Sequence, residues 1–158
     1  MTPLFSSIYN LTIHFLKEDL MTKAEILELI NAHPLCYLAT SENNKPHVRA
    51  MGMYCADEKG MIFQTVDGKD LPKQLKANPN VEVCFFSPEK NIQIRVSGKA
   101  TLLEDRDLKK EIVEKRPFLK PWMETKGFDM IPVFRIVDCV AYEWTMEKNL
   151  LPKEYVKF

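Results

Sequence analysis

The stretch that determines the fold is residues 46–66, PHVRAMGMYCADEKGMIFQTV. Its apolar residues run from Pro46 to Ala56 and resume from Met61 to Val66. Between the two runs stands Asp57-Glu58-Lys59-Gly60, a turn sequence in which the glycine supplies a positive φ. The pattern predicts a β-hairpin in which the first strand lies antiparallel to the second.

Further strands and short helices are predicted on both sides of this hairpin. Upstream, Thr22 and Glu25 form a capping-box pattern at the start of an amphipathic helix that Pro34 ends. Downstream, Asp70 is a candidate N-cap of a short helix. The remaining predicted elements are strands near Leu35 to Thr40, Val81 to Phe86, Asn91 to Leu103, Pro132 to Ile136 and Val140 to Thr145, and helices over Leu71 to Ala77, Asp105 to Lys115 and from Pro117.

These elements indicate a mainly β fold with α additions. About five to seven short antiparallel strands favour a closed or nearly closed barrel, because closure removes exposed sheet edges. A barrel of this size holds no cofactor inside. A ligand would therefore bind on its outer surface and be covered by a second subunit.

Composition and charge limit the class of protein. The 158 residues, 46% of them apolar, suffice for one domain with a single core. The 22 basic and 22 acidic side chains cancel, which argues against a general nucleic-acid binder. An anion site would need a local cluster of lysine and arginine.

The four cysteines and residues 1–20 indicate the cellular compartment of the protein. Cys36, Cys55, Cys84 and Cys139 include no C-x-x-C pair, so neither a zinc site nor a disulfide framework is expected. Residues 1–20 lack the basic start of a signal peptide and are interrupted by polar residues. We therefore expect a cytoplasmic protein without a membrane span, whose domain occupies residues 21–158 behind an N-terminal extension.

Two lysines are candidates for a phosphate site. Lys69 and Lys73 are four residues apart around the start of the predicted helix 71–77, where backbone N–H groups favour an anion. The same spacing is typical of a solvated helix face, which is the interpretation that spacing alone favours.

Three residues of the first hairpin strand are candidates as well. Arg49 is charged amid apolar neighbours, and the hairpin would bring it beside Phe63-Gln64-Thr65. Gly52 either lets a flat ring approach the backbone or marks a bulge. His47 is the best candidate for a catalytic acid or base, but a single strand histidine is more often a packed or surface residue. We assign no catalytic residue.

Several short patterns occur together in one order. They are Arg49, the turn Asp57 to Met61, Phe63-x-Thr65, Asn78-Pro79-x-Val81, Gln93 and Gly98. In this order and spacing the chain resembles the pyridoxamine 5′-phosphate oxidase-like family of FMN-binding split barrels, and within it the nitroimidazole-reductase type. The resemblance runs from about Leu35 to Pro117 and more loosely to Trp144. It implies a split β-barrel of about six to seven antiparallel strands with Greek-key connections.

The resemblance also implies a set of FMN-contacting residues. Arg49 would contact the phosphate, and the residues after it would run along the edge of the isoalloxazine ring. Gln93 would reach the flavin from the neighbouring strand pair, often across a homodimer. Surface or packing roles are the alternative for Gln93 and Trp144. The other implied cofactor residues are Ala50, Met51, Gly52, Met53, Gln64, Thr65, Lys69, Lys73 and Trp144.

Three departures separate the chain from a true pyridoxamine phosphate oxidase. Lys69-Asp70-Leu71 replaces a Ser-Arg-Lys phosphate cluster, so Lys69 and Lys73 would supply the missing charge. Tyr54 stands where the oxidase has a substrate-contacting lysine, and residues 148–158 lack its Arg-Leu-x-x-x-Arg signature. We do not expect oxidation of pyridoxamine phosphate.

The predicted function is an FMN-dependent oxidoreductase that takes electrons from NAD(P)H and passes them to a small acceptor. A non-catalytic module that binds flavin, haem or a deazaflavin is the alternative, and an interaction protein with an empty barrel is a third possibility.

Overall fold

The structure, a computed structural model, describes residues 20–158, so the predicted extension over residues 1–20 lies outside it except for Leu20. The described residues form eight strands and four α-helices. The strands are β1 Leu35–Glu42, β2 Lys45–Gly52, β3 Cys55–Asp57, β4 Gly60–Gln64, β5 Asn80–Ser87, β6 Ile92–Leu103, β7 Val133–Trp144 and β8 Val156–Lys157. The helices are α1 Lys23–Ala32, α2 Asp70–Ala77, α3 Arg106–Lys115 and α4 Lys120–Lys126, with 3₁₀ turns at Pro117–Leu119 and Gly127–Met130.

All strand pairs are antiparallel, and the order in the sheet is β2-β1-β5-β6-β7-β4-β3, with β8 added to β7. β2 and β3 follow each other in sequence but occupy opposite ends of this order. The chain therefore crosses the opening of the curled sheet between them. The mainly β split-barrel prediction is confirmed, and β8 is an additional strand that the sequence pattern did not predict.

The predicted strand from Pro46 to Ala56 is wrong as a single element. The Met53 N–H donates to the carbonyl of Pro34 at 2.8 Å, whereas the Tyr54 N–H donates to the carbonyl of Ile62 at 2.8 Å. The strand thus leaves β1 and joins β4 at this point. The hairpin turn is confirmed, but only β3 pairs with β4. Apolar residues continue through the bend, so the pattern gives no sign of it.

Two further boundaries differ from the prediction. β7 is one strand of 12 residues rather than two, with Asp138 at a φ of 53°. A register shift in β6 lies opposite, where a Cβ on Gly98 would lie 2.7 Å from the carbonyl oxygen of Val137. Lys69, not Asp70, is the N-cap of α2.

The core fills the inside of the barrel. Alternate residues of the strands point inward, and α1 covers one end with Ile26, Leu29 and Ile30 behind the predicted Thr22–Glu25 capping box, which is confirmed. A smaller apolar cluster packs α3 against β4 and the start of β7. No helix within residues 20–158 is long and apolar enough to cross a membrane.

Candidate functional site

A cavity of about 800 Å³ lies along β2, at an edge of the sheet. Five residues of the predicted cofactor set line it. They meet although β2 and β4 are not paired, because the loop after β4 leads to α2 beside the open edge of β2. The lining residues are Pro46, His47, Val48, Arg49, Ala50, Met51, Thr65, Gly68, Lys69, Asp70, Leu71 and Gln74.

A buried polar network fixes the Arg49 side chain in this cavity. Its Nη1 donates to Thr40 Oγ1 at 2.8 Å and to the carbonyl of Leu38 at 3.3 Å. Its Nη2 donates to Gln74 Oε1 at 2.6 Å, and the Thr40 hydroxyl donates to the same oxygen at 2.7 Å. Thr40 and Gln74 are buried. The guanidinium is therefore held between β1 and α2.

Sequence reasoning missed Thr40 and Gln74. The available signal was weak: Thr40 is a polar residue at an inward position of an apolar strand, and Gln74 follows the buried Leu71 at helical spacing. Either pattern alone is also typical of a surface residue.

Among the charged side chains that line the cavity, the positive ones outnumber the negative ones. Burial lowers the pKa of Arg49, and the nearby Asp70 carboxylate opposes that shift. Arginine still remains charged at neutral pH. Lys69 is exposed at the start of α2, where it caps no backbone N–H with its side chain. Arg49 and Lys69 thus face a single carboxylate among the residues that line the cavity.

Lys73 does not line the cavity and is exposed on α2. The structure therefore separates the two lysines that the spacing had paired. Lys73 has the position of a residue on a solvated helix face.

Gly52, Met53 and Gln64 belong to a different set of contacts, organised by Arg116. This guanidinium donates to the carbonyls of Gly52 and Met53 at 3.0 and 2.7 Å, and to Gln64 Oε1 at 2.9 Å. It also lies 5.4 Å from the centre of the Tyr54 ring. A Cβ on Gly52 would meet Arg116 Nη1 at 3.8 Å. Arg116 therefore fixes the bend between β2 and β3, a role that the sequence did not reveal.

Gln93 and Trp144 lie away from the cavity and are cross-strand partners on β6 and β7. Through Phe86 on β5 they share the outward face of the sheet with Tyr37 and Ala50. Trp144 is held in place by a hydrogen bond from its Nε1 to Asn149 Oδ1 at 2.9 Å. We call this outward face of β2, β1, β5, β6 and β7 the outer sheet face.

Among residues 20–158, no group of three or more His, Cys, Asp or Glu side chains is placed to hold a metal ion. The four cysteines are free thiols.

Comparison with known proteins identifies the family of the chain. Residues 22–135 match the family model described as pyridoxamine 5′-phosphate oxidase. The chain belongs to this family. The family's pyridoxine/pyridoxamine 5′-phosphate oxidase from Leptospira interrogans is 30% identical over 95 residues, which are 60% of this chain and 42% of that protein. The chain thus spans less than half the length of this relative. General stress protein 26 of Bacillus subtilis is 26% identical, over 72% of this chain and 81% of its own length.

Several solved structures have a fold similar to that of this chain. A NimC/NimA family protein from Clostridium acetobutylicum has a TM-score of 0.69 at 23% identity, covering 90% of this chain and 99% of its own. The heme storage protein HutZ from Vibrio cholerae has a TM-score of 0.57 at 15% identity, covering 74% and 90%. An FAD-binding protein from Mesorhizobium loti has a TM-score of 0.55 at 18% identity, covering 79% and 96%. At these identities the likeness shows the fold.

Proposed function

We propose that this chain binds FMN as a homodimer and passes electrons from a reduced nicotinamide to a small acceptor. The observation that carries the proposal is the Arg49 guanidinium, held by Thr40 and Gln74 at the cavity along β2. Family membership makes a flavin the expected ligand of such a cavity.

The donors at the cavity fit a phosphate group. Within the described part of the chain, three of the five N–H donors of Arg49 bond to protein oxygens, and two remain for a ligand. Lys69 adds a second positive charge, and the first backbone N–H groups of α2 have no side-chain cap. Charge-assisted hydrogen bonds to an anion are among the stronger polar contacts in proteins.

The edge of β2 fits a flat ring beyond that phosphate. Among the described strands β2 pairs only with β1, so backbone groups on its other edge are open to a ligand. Ala50 and Met51 line the cavity on this edge. Bound FMN would supply reversible transfer of electrons, while the chain anchors the phosphate and orients the ring.

The outer sheet face supports a homodimer. Its apolar side chains Leu35, Tyr37 and Val48 are 75%, 58% and 70% exposed. A two-fold symmetric contact through this face would bury them and would bring Gln93 and Trp144 of one subunit toward the Ala50 edge of the other. This arrangement would complete the flavin site with residues that lie outside the cavity of their own subunit.

Oxidation of a phosphorylated pyridoxine is disfavoured by Tyr54 and by the placement of the C-terminal lysines Lys148 and Lys153. The Tyr54 hydroxyl donates to Glu111 Oε1 at 2.5 Å, and it is neutral where the oxidase has a lysine. Lys148 pairs with Glu143 at 2.9 Å, and Lys153 Nζ lies 4.7 Å from the centre of the Tyr142 ring. Tyr54, Lys148 and Lys153 do not line the cavity along β2, so within one described chain they supply no anchor for a second phosphate there.

We further infer that the FMN-binding domain occupies residues 21–158 behind an N-terminal extension, and that the protein acts in the cytoplasm, where reduced nicotinamides occur and free thiols persist.

Steady-state assays of the FMN-loaded protein test the catalytic part of the proposal. NADH and NADPH are each supplied with a nitroaromatic or quinone acceptor, and pyridoxine phosphate is assayed separately. We expect saturable nicotinamide oxidation and no efficient formation of pyridoxal phosphate. Efficient pyridoxal phosphate formation would contradict the proposal. Binding of FMN without turnover of any acceptor would instead support the flavin-binding module.

A further inference from the structure

A second cavity, of about 440 Å³, shares only Thr65 with the cavity along β2. Its walls come from α2, the end of β6, α3 and the start of β7. Leu75, Ala100 and Phe134 give it an apolar surface, to which Pro72 and Pro132 contribute. A volume of this size lies within the usual range for small-molecule sites. The proposed FMN site meets it only at Thr65.

Lys109 is the most buried of the charged residues that line this cavity. The Lys109 side chain is only 8% exposed, and its charged neighbour among the described residues is Glu104, whose Oε2 lies 3.6 Å from Nζ. That distance exceeds a hydrogen bond, and the Glu104 side chain is 75% exposed. The Lys109 ammonium lines the cavity and is paired among the described residues only with the exposed Glu104, so it is available to an anionic group of a ligand.

Carboxylates predominate among the exposed charged residues that line the rim of the cavity. Asp67, Asp129 and Glu104 are exposed there, together with Lys76. Exposed carboxylates are screened by solvent and repel an anion weakly, whereas the buried ammonium acts at short range. The surroundings of Lys109 therefore favour a negative group, and those of Asp67 and Asp129 favour a positive or hydrogen-donating one.

We propose that this cavity binds a small aromatic carboxylic acid, with its carboxylate on Lys109 and its ring between Leu75 and Phe134. An amino group at the far end of the ring would face Asp67 and Asp129. Glu104, Lys109 and Asp129 also line a neighbouring hollow beside Phe128. The site is separate from the proposed flavin site and stands without it.

Calorimetric titration of the purified full-length chain with 4-aminobenzoate tests this proposal, and 4-aminobenzamide is the matched uncharged probe. We expect the acid to bind at least about tenfold more tightly than the amide, the usual gain from a charge-assisted contact. Lys109→Met should abolish that preference. Glu104→Gln should tighten binding of the acid, because it removes the carboxylate that competes for Lys109. Arg49→Met should leave binding of the acid unchanged.

A second variant keeps the proposal testable if Lys109→Met fails to fold. Leu102 is 49% exposed and lines the cavity, so Leu102→Trp narrows it while retaining Lys109. This change should weaken binding of both probes. The proposal is overturned if acid and amide bind equally, if neither binds at about 10 mM, or if Arg49→Met rather than the cavity variants removes binding.

Discussion

Arg49 Nη2 and Gln74 Oε1 lie 2.6 Å apart and join the edge strand β2 to helix α2. These residues are 25 positions apart in sequence. Because the same Gln74 oxygen also accepts from Thr40, one amide holds the guanidinium and satisfies a buried hydroxyl. The orientation of the proposed phosphate ligand thus depends on a side chain that need not touch FMN.

Arg49→Ala and Lys69→Ala should each weaken binding of FMN more than binding of riboflavin, which lacks the phosphate. Loss of a charge-assisted contact is worth roughly 1.5–3 kcal/mol, or about one to two decades in Kd. Fluorescence titration with both ligands measures the difference. Lys73→Ala is the matched control, because Lys73 is exposed outside the cavity and should leave both affinities unchanged. Equal losses for the two ligands would place Arg49 and Lys69 away from the phosphate.

Gln74→Leu should destabilise the fold as well as the site. It leaves Thr40 and Arg49 without their shared acceptor in a buried setting, at a cost of about 1–3 kcal/mol in the free energy of unfolding. Urea denaturation measures this cost, and a comparison with Lys73→Leu controls for the new leucine on the same helix. If the two variants unfold at the same urea concentration, the network does not contribute to stability.

Local patterns predicted much of the fold because their signals lie within a few residues. The Thr22–Glu25 capping box and the turn ending at Gly60 are examples. The bend at Met53 escaped prediction, since it is fixed by the Arg116 guanidinium, 63 positions away. The residues between Met53 and Arg116 show no pattern that indicates this contact.

The candidate site was likewise predicted only in part. Arg49, Thr65 and Lys69 do line one cavity, although the hairpin pairing that suggested their meeting is wrong. Gln93 and Trp144 lie on the outer sheet face away from that cavity, and the proposal has a second subunit bring them to it. Residues that a second subunit would contribute to the site cannot be identified from periodicity and spacing within one chain.

Tyr37→Glu should break the proposed homodimer and weaken FMN binding with it. Tyr37 is 58% exposed at the centre of the outer sheet face, and a carboxylate there would be costly to bury against a second copy. Light scattering gives the mass in solution. Phe118→Glu, at a 66% exposed aromatic on a 3₁₀ turn, is the control and should remain dimeric. A wild-type monomer that binds FMN tightly would refute the symmetric site.

Stability should fall in alkaline solution because of buried thiols. Burial raises the pKa of Cys36 from 9.0 to about 12, and that of Cys139 from 9.0 to about 11. The folded state holds these protons more tightly than the unfolded state. The resulting stability is complete below pH 9 and is lost as pH rises through the folded pKa values. Cys36→Ala should flatten the fall in unfolding free energy above pH 9, and an unchanged slope would contradict this assignment.

The absorption spectrum of the purified full-length chain, incubated with FMN and then separated from free ligand by gel filtration, tests the central claim most directly. We predict the spectrum of an oxidised flavin that stays with the protein at one FMN per chain and is lost in the Arg49→Ala variant. A protein peak without flavin absorbance, or one with the absorbance of haem instead, would contradict the account.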